Sequence, residues 1–302
     1  MPSIQVEHIS KRFGATQAVK DVTFDVSPGE IFGLLGPNGA GKTTSIRIIL
    51  DIFKPDTGSV QVLGGKMTEE KKNLIGYLPE ERGLYQDIPV ERCLQFLALL
   101  KGMDKATASV RIDQLLQKFD LADVRNKKVK ELSKGMQQKA QLITTLVHEP
   151  QLIIIDEPFS SLDPVNTQMV KDLLLEERKK GKVVVMCTHQ MAQVEQLCDR
   201  LVLIDKGKVV LQGKLNDIRK QFATRDVLIL YDGDLPNNLN GVTRIESHNG
   251  RRKLILDETT TPHLVLKQLV EAGIQIDDFE IAVPTLDEIF IKIVSEVEGH
   301  NG

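Results

Sequence analysis

Eight consecutive residues, Gly36-Pro37-Asn38-Gly39-Ala40-Gly41-Lys42-Thr43, have the types and spacing of a phosphate cradle, G-x-x-x-x-G-K-[ST]. Glycines there let backbone N–H groups turn inward around a β-phosphate with no Cβ in the way. Lys42 reaches the β- and γ-phosphates as a point charge, and the Thr43 hydroxyl ligates Mg²⁺. Thr44, next in the chain, is counted with the nucleotide-binding residues. A helix opening at this point adds the positive end of its dipole. A second chemical signal closes the apolar run Leu152-Ile153-Ile154-Ile155, which ends in Asp156-Glu157. Parallel α/β sheets bind ligands at the carboxyl ends of their strands. Asp156 is placed there to hold Mg²⁺ through water, and Glu157 to orient or deprotonate an attacking water. Alone, Asp-Glu after an apolar run is equally a strand–turn boundary; the cradle upstream is what gives it chemical sense.

These residues need a strand before the cradle and a helix after it. Ile31-Phe32-Gly33-Leu34-Leu35 is an apolar run fit for a buried strand, and Ser27-Pro28-Gly29-Glu30 reads as the turn leading into it. After the cradle, Ile46, Ile49, Leu50 and Phe53 fall at i, i+3, i+4 and i+7, and Pro55 stops the helix. Upstream, Ile4, Val6 and Ile9, then Val22, Phe24 and Val26, mark two strands joined by a hairpin near Phe13-Gly14. Residues 59–78 are β-rich and punctuated by turns. From about 87 to 147 apolar residues recur at helical spacing, which predicts a helical insertion. A strand at 152–155, a charged helix at 166–180 and a strand at 183–186 predict a parallel crossover, followed by a hairpin around Asp205-Lys206-Gly207.

The fold class is therefore α/β, a P-loop domain over residues 1–218 with a β-rich N-terminal part and a helical insertion. A polar stretch at 215–222 marks a boundary. Beyond it, strands at 227–230, 243–246, 254–256 and 279–283 and helices at 263–272 and 286–297 predict a small α+β domain over 222–302.

At 302 residues, a large and a small core are expected. Hydrophobic residues make up 41% and charged residues 27%, and the net charge is −3, which gives no electrostatic reason for a nucleic-acid partner. No apolar run approaches the roughly 18–20 residues that cross a bilayer, and the N-terminus has no basic start or apolar signal core. The chain is expected in the cytosol, unable to move anything across a membrane by itself. Cys93, Cys187 and Cys198 are spaced for neither zinc nor a disulfide framework and read as core or half-buried thiols in a reducing compartment.

Over about residues 1–215 the chain resembles the ABC ATPase family. Leu132-Ser133-Lys134-Gly135-Met136-Gln137 is similar to the family's signature Leu-Ser-Gly-Gly-Gln; Ser133 and Gly135 match, Lys134 and Met136 depart. Alone, such a run is a helix cap. The resemblance implies that Ser133 and Gly135 close on the γ-phosphate of ATP held by another subunit. It also implies that Ser161-Leu162-Asp163 is the D-loop, bringing Asp163 to the same interface, and that His189 is the switch histidine, a neutral imidazole hydrogen-bonding the γ-phosphate. A lone histidine is more often structural. Phe13, 23 residues before Gly36, matches the aromatic that stacks on adenine, where a bare Phe is core by default. Glu80 stands where the family has Gln; it either ligates Mg²⁺ or points to solvent while Mg²⁺ keeps a water.

Gly76-Tyr77-Leu78-Pro79-Glu80-Glu81-Arg82-Gly83-Leu84-Tyr85 and Pro284-Thr285-Leu286-Asp287-Glu288-Ile289-Phe290 resemble prokaryotic ABC exporter ATPases, including the sodium-efflux type. That likeness implies an ATP-hydrolysing subunit with Mg²⁺ as cofactor. Its partners would be a second ABC ATPase subunit, identical or not, and a separately encoded membrane permease, with no nucleic acid. It implies a cytoplasmic chain held at the inner face of the cell membrane through the permease. The small extra domain serves dimerisation or regulation, or is a passive appendage. The competing readings are a soluble ABC-type ATPase and a nucleotide-sensing regulatory protein without transport.

Overall fold

The computed structural model describes residues 1–81, 83–233, 235–236, 238–248 and 250–299. Arg82, part of one stretch that carries the resemblance, lies outside the described residues, as do 234, 237, 249 and 300–302 of the expected small domain. The chain divides into two compact units, Met1–Leu215 and Asn216–Gly302.

The first unit opens with a hairpin of β1 (Ile4–Phe13) and β2 (Thr16–Val26), turned at Gly14, whose φ of 56° suits glycine. β3 (Ile31–Leu35) and α1 (Lys42–Ile49) follow, and then β4 (Thr57–Val62) returns to pair with β1 in an antiparallel sheet ordered β2-β1-β4. A four-residue helix α2 (Glu69–Lys72), capped by Thr68, precedes β5 (Ile75–Leu78).

The expected insertion is built of α3 (Val90–Leu100), α4 (Lys105–Lys118) and α5 (Lys134–Leu146). Asp104 caps α4 by accepting from Ala106 and Thr107 N–H groups. Arg125 pairs with Glu91 of α3 and Asp113 of α4, tying the two helices together. Gly76 lets the insertion approach the sheet: a Cβ on it would stand 2.2 Å from the Thr145 carbonyl of α5.

The chain then re-enters the sheet. It runs through β6 (Leu152–Asp156), α6 (Pro164–Lys179), β7 (Val183–Thr188), α7 (Met191–Leu197), β8 (Arg200–Asp205) and β9 (Lys208–Lys214). The six-stranded sheet has the order β5-β6-β7-β3-β8-β9, parallel except for β9. Every residue of β3, β6 and β7 is buried, as continuous apolar runs in a sheet covered on both faces require. One core joins Val6, Val22 and Phe24 of the antiparallel sheet, Ile46 and Ile49 of α1, and Phe32, Ile154 and Val185 of the parallel sheet. α1 is thus held between two sheets, and its N-terminus points from a fixed place. All three cysteines are buried.

α8 (Leu215–Phe222) runs across the division between the units. The second unit contains β10 (Val227–Asp232), β11 (Val242–His248), β12 (Arg251–Leu256), α9 (Pro262–Glu271), β13 (Gln275–Ile281) and α10 (Leu286–Gly299). Its antiparallel sheet is ordered β11-β12-β10-β13, and Val227, Ile229, Leu254, Val265 and Leu269 form its own core.

Candidate active site

β3 ends at Leu35 and α1 begins at Lys42, so Gly36–Gly41 must reverse the chain in six residues. Gly36, Gly39 and Gly41 all carry positive φ, 148°, 79° and 107°. Two of them also sit where no side chain fits: a Cβ would come within 2.1 Å of the Ile204 carbonyl at Gly36 and 2.4 Å of the Ala18 carbonyl at Gly41. Pro37 accepts from the Ala40 N–H at 3.2 Å inside the loop. Gly41 caps α1 without any side chain to take the first-turn N–H groups, which leaves them to an anion. Asn38 and Gly39 are exposed and Thr44 is half-buried. Lys42 is only 7% exposed and folds back over the loop, its Nζ donating to the Gly36 and Pro37 carbonyls at 2.8 and 3.1 Å. An ammonium has three donors, so one remains for a ligand.

Thr43 donates its hydroxyl to Asp156 Oδ2 at 3.0 Å, joining the first turn of α1 to the end of β6. Asp156 is 2% exposed. Beside it, Glu157 is 7% exposed and takes a left-handed φ of 54°, which points its side chain away from that of Asp156 and toward the end of β7. Its N–H bonds the Cys187 carbonyl at 2.8 Å. Its carboxylate accepts from Thr188 Oγ1 and the His189 N–H, both at 3.0 Å, and meets His189 Nδ1 at 2.6 Å. Since an ionised carboxylate only accepts, Nδ1 carries the proton, and a neutral ring then presents Nε2 as an acceptor. A phosphate oxygen needs a donor. The neutral imidazole expected to bond the γ-phosphate can do so only once the ring leaves Glu157 or gains a second proton.

The other expected residues are placed as follows. Ser133 caps α5, its Oγ accepting from the Met136 N–H at 3.2 Å, so its own hydroxyl proton stays available to an anion. Ser133 is exposed. Gly135 packs against the loop after Glu157: a Cβ there would stand 3.3 Å from the Ser161 carbonyl. Asp163 caps α6, accepting from the Asn166 N–H at 2.9 Å, and this bond together with the Asn166 amide holds its carboxyl below the usual range. Phe13 is 44% exposed and lies edge-on to Phe53, 5.3 Å between centroids. Glu80 follows β5, whose Leu78 pairs with Ile155, so it leaves the sheet at the same edge as Asp156. It is exposed, and among the described residues no hydrogen bond or ion pair joins it to Thr43 or Asp156.

Sequence reasoning passed over Thr188. A threonine closing a β-branched apolar strand carries no signal of its own, and only the fold brings it to Glu157.

The donor set suits Mg²⁺. That ion takes one or two carboxylates plus substrate phosphate oxygens rather than an all-protein cage. Here one buried carboxylate faces one hydroxyl at the cradle, and among the described residues there is no cluster of three or more His, Cys, Asp or Glu side chains able to hold a metal.

A family model described as ABC transporter matches residues 19–160, and one described as ATP-binding protein DrrA1-3-like, C-terminal domain, matches 213–294. The chain is 40% identical to the uncharacterized ABC transporter ATP-binding protein YhaQ of Bacillus subtilis over 97% of its own length and 99% of that protein. It is 31% identical to the Nod factor export ATP-binding protein I of Rhizobium etli, over 97% of this chain and 93% of that one. Among solved structures, an ATP binding subunit of an ABC transporter superposes with a TM-score of 0.68 at 34% identity, covering 72% of this chain and 92% of that chain.

Proposed function

The chain belongs to the ATP-binding subunits of ABC transporters and is a transport ATPase, and from that premise we propose that it drives export through a separately encoded membrane permease, using Mg·ATP shared between two copies. The observation that carries the chemistry is the convergence of Thr43, Asp156, Glu157 and His189 at one edge of the parallel sheet. Export is supported by the Nod factor export relative. The readings as a soluble ATPase or a sensor find no support among these relatives.

Gly36–Thr44 wraps the triphosphate with its backbone N–H groups, and Lys42 turns its remaining donor to the β- and γ-phosphates. Thr43 and Asp156 would hold Mg²⁺, which when bound withdraws charge from the phosphate oxygens. Phe13 supplies a ring face for adenine. Glu157 orients the water that attacks the γ-phosphate, and His189 follows the phosphate once it leaves Glu157. Ser133, Gly135 and Asp163 of a second copy complete the site, and the exposed Ser133 at the start of α5 supports that role. Glu80, leaving the sheet at the same edge as Asp156, would add a further ligand for the ion. The helical insertion, residues 87–147, meets the permease, and the unit from about residue 222 onward assists dimerisation or regulation. Among the described residues no helix is long and apolar enough to cross a membrane. The permease holds the chain at the inner face of the membrane.

The full-length chain should hydrolyse ATP with Mg²⁺ and stop with EDTA. Glu157→Gln should bind ATP, form an ATP-dependent dimer on gel filtration and turn over at least about a hundredfold more slowly. Full hydrolysis by that variant removes Glu157 from the chemistry. Affinity capture from native membranes should bring down a polytopic membrane protein; recovery of the chain with none overturns the transport assignment.

A further inference from the structure

Glu157 is held by more than the histidine. A carboxylate offers about four lone-pair sites. Three are taken by the end of β7: Thr188 Oγ1 at Oε2, and the His189 N–H and Nδ1 at Oε1. These three contacts differ in permanence. The imidazole stands on a rotatable side chain that is 49% exposed, whereas the His189 N–H belongs to the backbone and Thr188 is fully buried. The Thr188 hydroxyl is also directed. Its oxygen accepts from the Gln190 N–H at 3.1 Å, a group that can only donate, so its single proton goes to Glu157.

We propose that Thr188 is a positioning residue for hydrolysis: its hydroxyl pins Oε2 of Glu157 while the backbone N–H of His189 pins Oε1. The plane of the carboxylate therefore stays fixed when the imidazole swings to the phosphate. The freed site on Oε1 then faces the attacking water. A threonine or serine is required here because only a hydroxyl can accept from Gln190 and donate to Glu157 at once. The left-handed backbone at Glu157 fits this account, since it brings the carboxylate to β7 at the cost of a conformation uncommon for residues with a Cβ. The proposal rests on Glu157 being the residue that handles the water.

The test compares steady-state ATPase kinetics of the full-length chain with those of Thr188→Val, Thr188→Ser and Glu157→Gln. Val keeps the shape and removes the hydroxyl; Ser keeps the hydroxyl and removes the methyl. We expect Val to lower kcat about tenfold or more, the scale of one hydrogen bond to a charged group, with KM for ATP within about twofold, and Ser to restore most of kcat. A purely structural role would depress the two variants together, would follow the methyl rather than the hydroxyl, or would raise KM alongside. Each of those results overturns the proposal, as does a Val variant with unchanged kcat. If Val does not fold, judged by its thermal midpoint and ATP affinity, Thr188→Ala takes its place under the same criteria. Glu157→Gln separates the two levels. Its inactivity beside an unaffected Thr188→Val sinks only the positioning role, whereas normal turnover in Glu157→Gln removes the catalytic reading beneath it.

Discussion

Thr43 and Asp156, 113 residues apart in sequence, meet through a 3.0 Å hydrogen bond from hydroxyl to carboxylate. The strands that lead to them are not neighbours: β7 lies between β3, which precedes the loop and α1, and β6. The contact therefore depends on the strand order and on α1 lying over the sheet edge, and it places side by side two of the groups proposed to hold Mg²⁺. Asp156→Asn should keep the packing and a hydrogen bond to Thr43 while losing the charge. ATP affinity measured by calorimetry should then become nearly independent of Mg²⁺, and turnover should fall by about two orders of magnitude or more. An unaltered Mg²⁺ dependence would remove Asp156 from the ion site.

The glycines of the loop should separate in a way their sequence does not reveal. Gly36→Ala drives a Cβ to 2.1 Å from a backbone carbonyl that cannot move without shifting β8. Gly39→Ala meets nothing within 4 Å and suffers only from its φ of 79°. The second should cost about 1 kcal/mol. The first should cost several times more and abolish ATP binding. Denaturant unfolding and nucleotide titration of the two variants read this directly; equal losses would mean that backbone conformation alone, and not the Ile204 contact, sets the requirement.

The loop, Asp156 and the strand–helix–strand order are legible because each rests on local signals: glycines where φ is positive, an apolar run where both faces are covered, a helix stripe of Ile46 and Ile49. The helix is shorter than the spacing predicts: α1 ends at Ile49, Asp51 turns left-handed at a φ of 60°, and Phe53 lies beyond the helix. α6 starts at Pro164, before the expected 166, because Asp163 caps it and proline fits its first turn. α7 was not legible; seven residues with apolar side chains only at Met191, Ala192, Val194 and Leu197 form a helix because β3 offers it a glycine, Gly33, whose added Cβ would lie 3.0 Å from Val194. α2 is too short to show a period. Thr188 and the Gly135–Ser161 approach belong to tertiary structure alone. A hydroxyl gains its meaning from what lies 31 residues away.

Phe13 offers a test of base recognition. Its ring is 44% exposed, with Phe53 in a T-shaped contact and the Lys11 ammonium 5.8 Å from its centroid. Base–aromatic stacking is worth about 1–3 kcal/mol. Phe13→Ala should therefore weaken ATP binding roughly tenfold, Phe13→Tyr should not, and binding of inorganic triphosphate should be the same in all three. A parallel loss of triphosphate affinity would show that Phe13 supports the fold near the loop and not the base.

His148 gives the protein an acid-sensitive point outside the nucleotide site. Its Nε2 lies 3.2 Å from the Ile75 carbonyl, to which a neutral ring donates, while Nδ1 is buried with no partner among the described residues. Burial, and then the nearby Lys101 ammonium, push its pKa down to about 4. Lys101 itself donates to the same Ile75 carbonyl at 2.9 Å, so a second positive charge there has no acceptor to meet. The sign follows from proton counts: between the unfolded value of about 6.5 and the folded value the unfolded chain binds more protons, so stability falls as pH drops through that window. It is fully present above about pH 6.5, and its loss approaches the order of 2–3 kcal/mol near pH 4. Urea unfolding at pH 7 and pH 5 should show a drop in the wild type that His148→Gln, which keeps a donor for Ile75 but cannot take a proton, largely lacks. Identical pH slopes in the two proteins would place the acid sensitivity elsewhere.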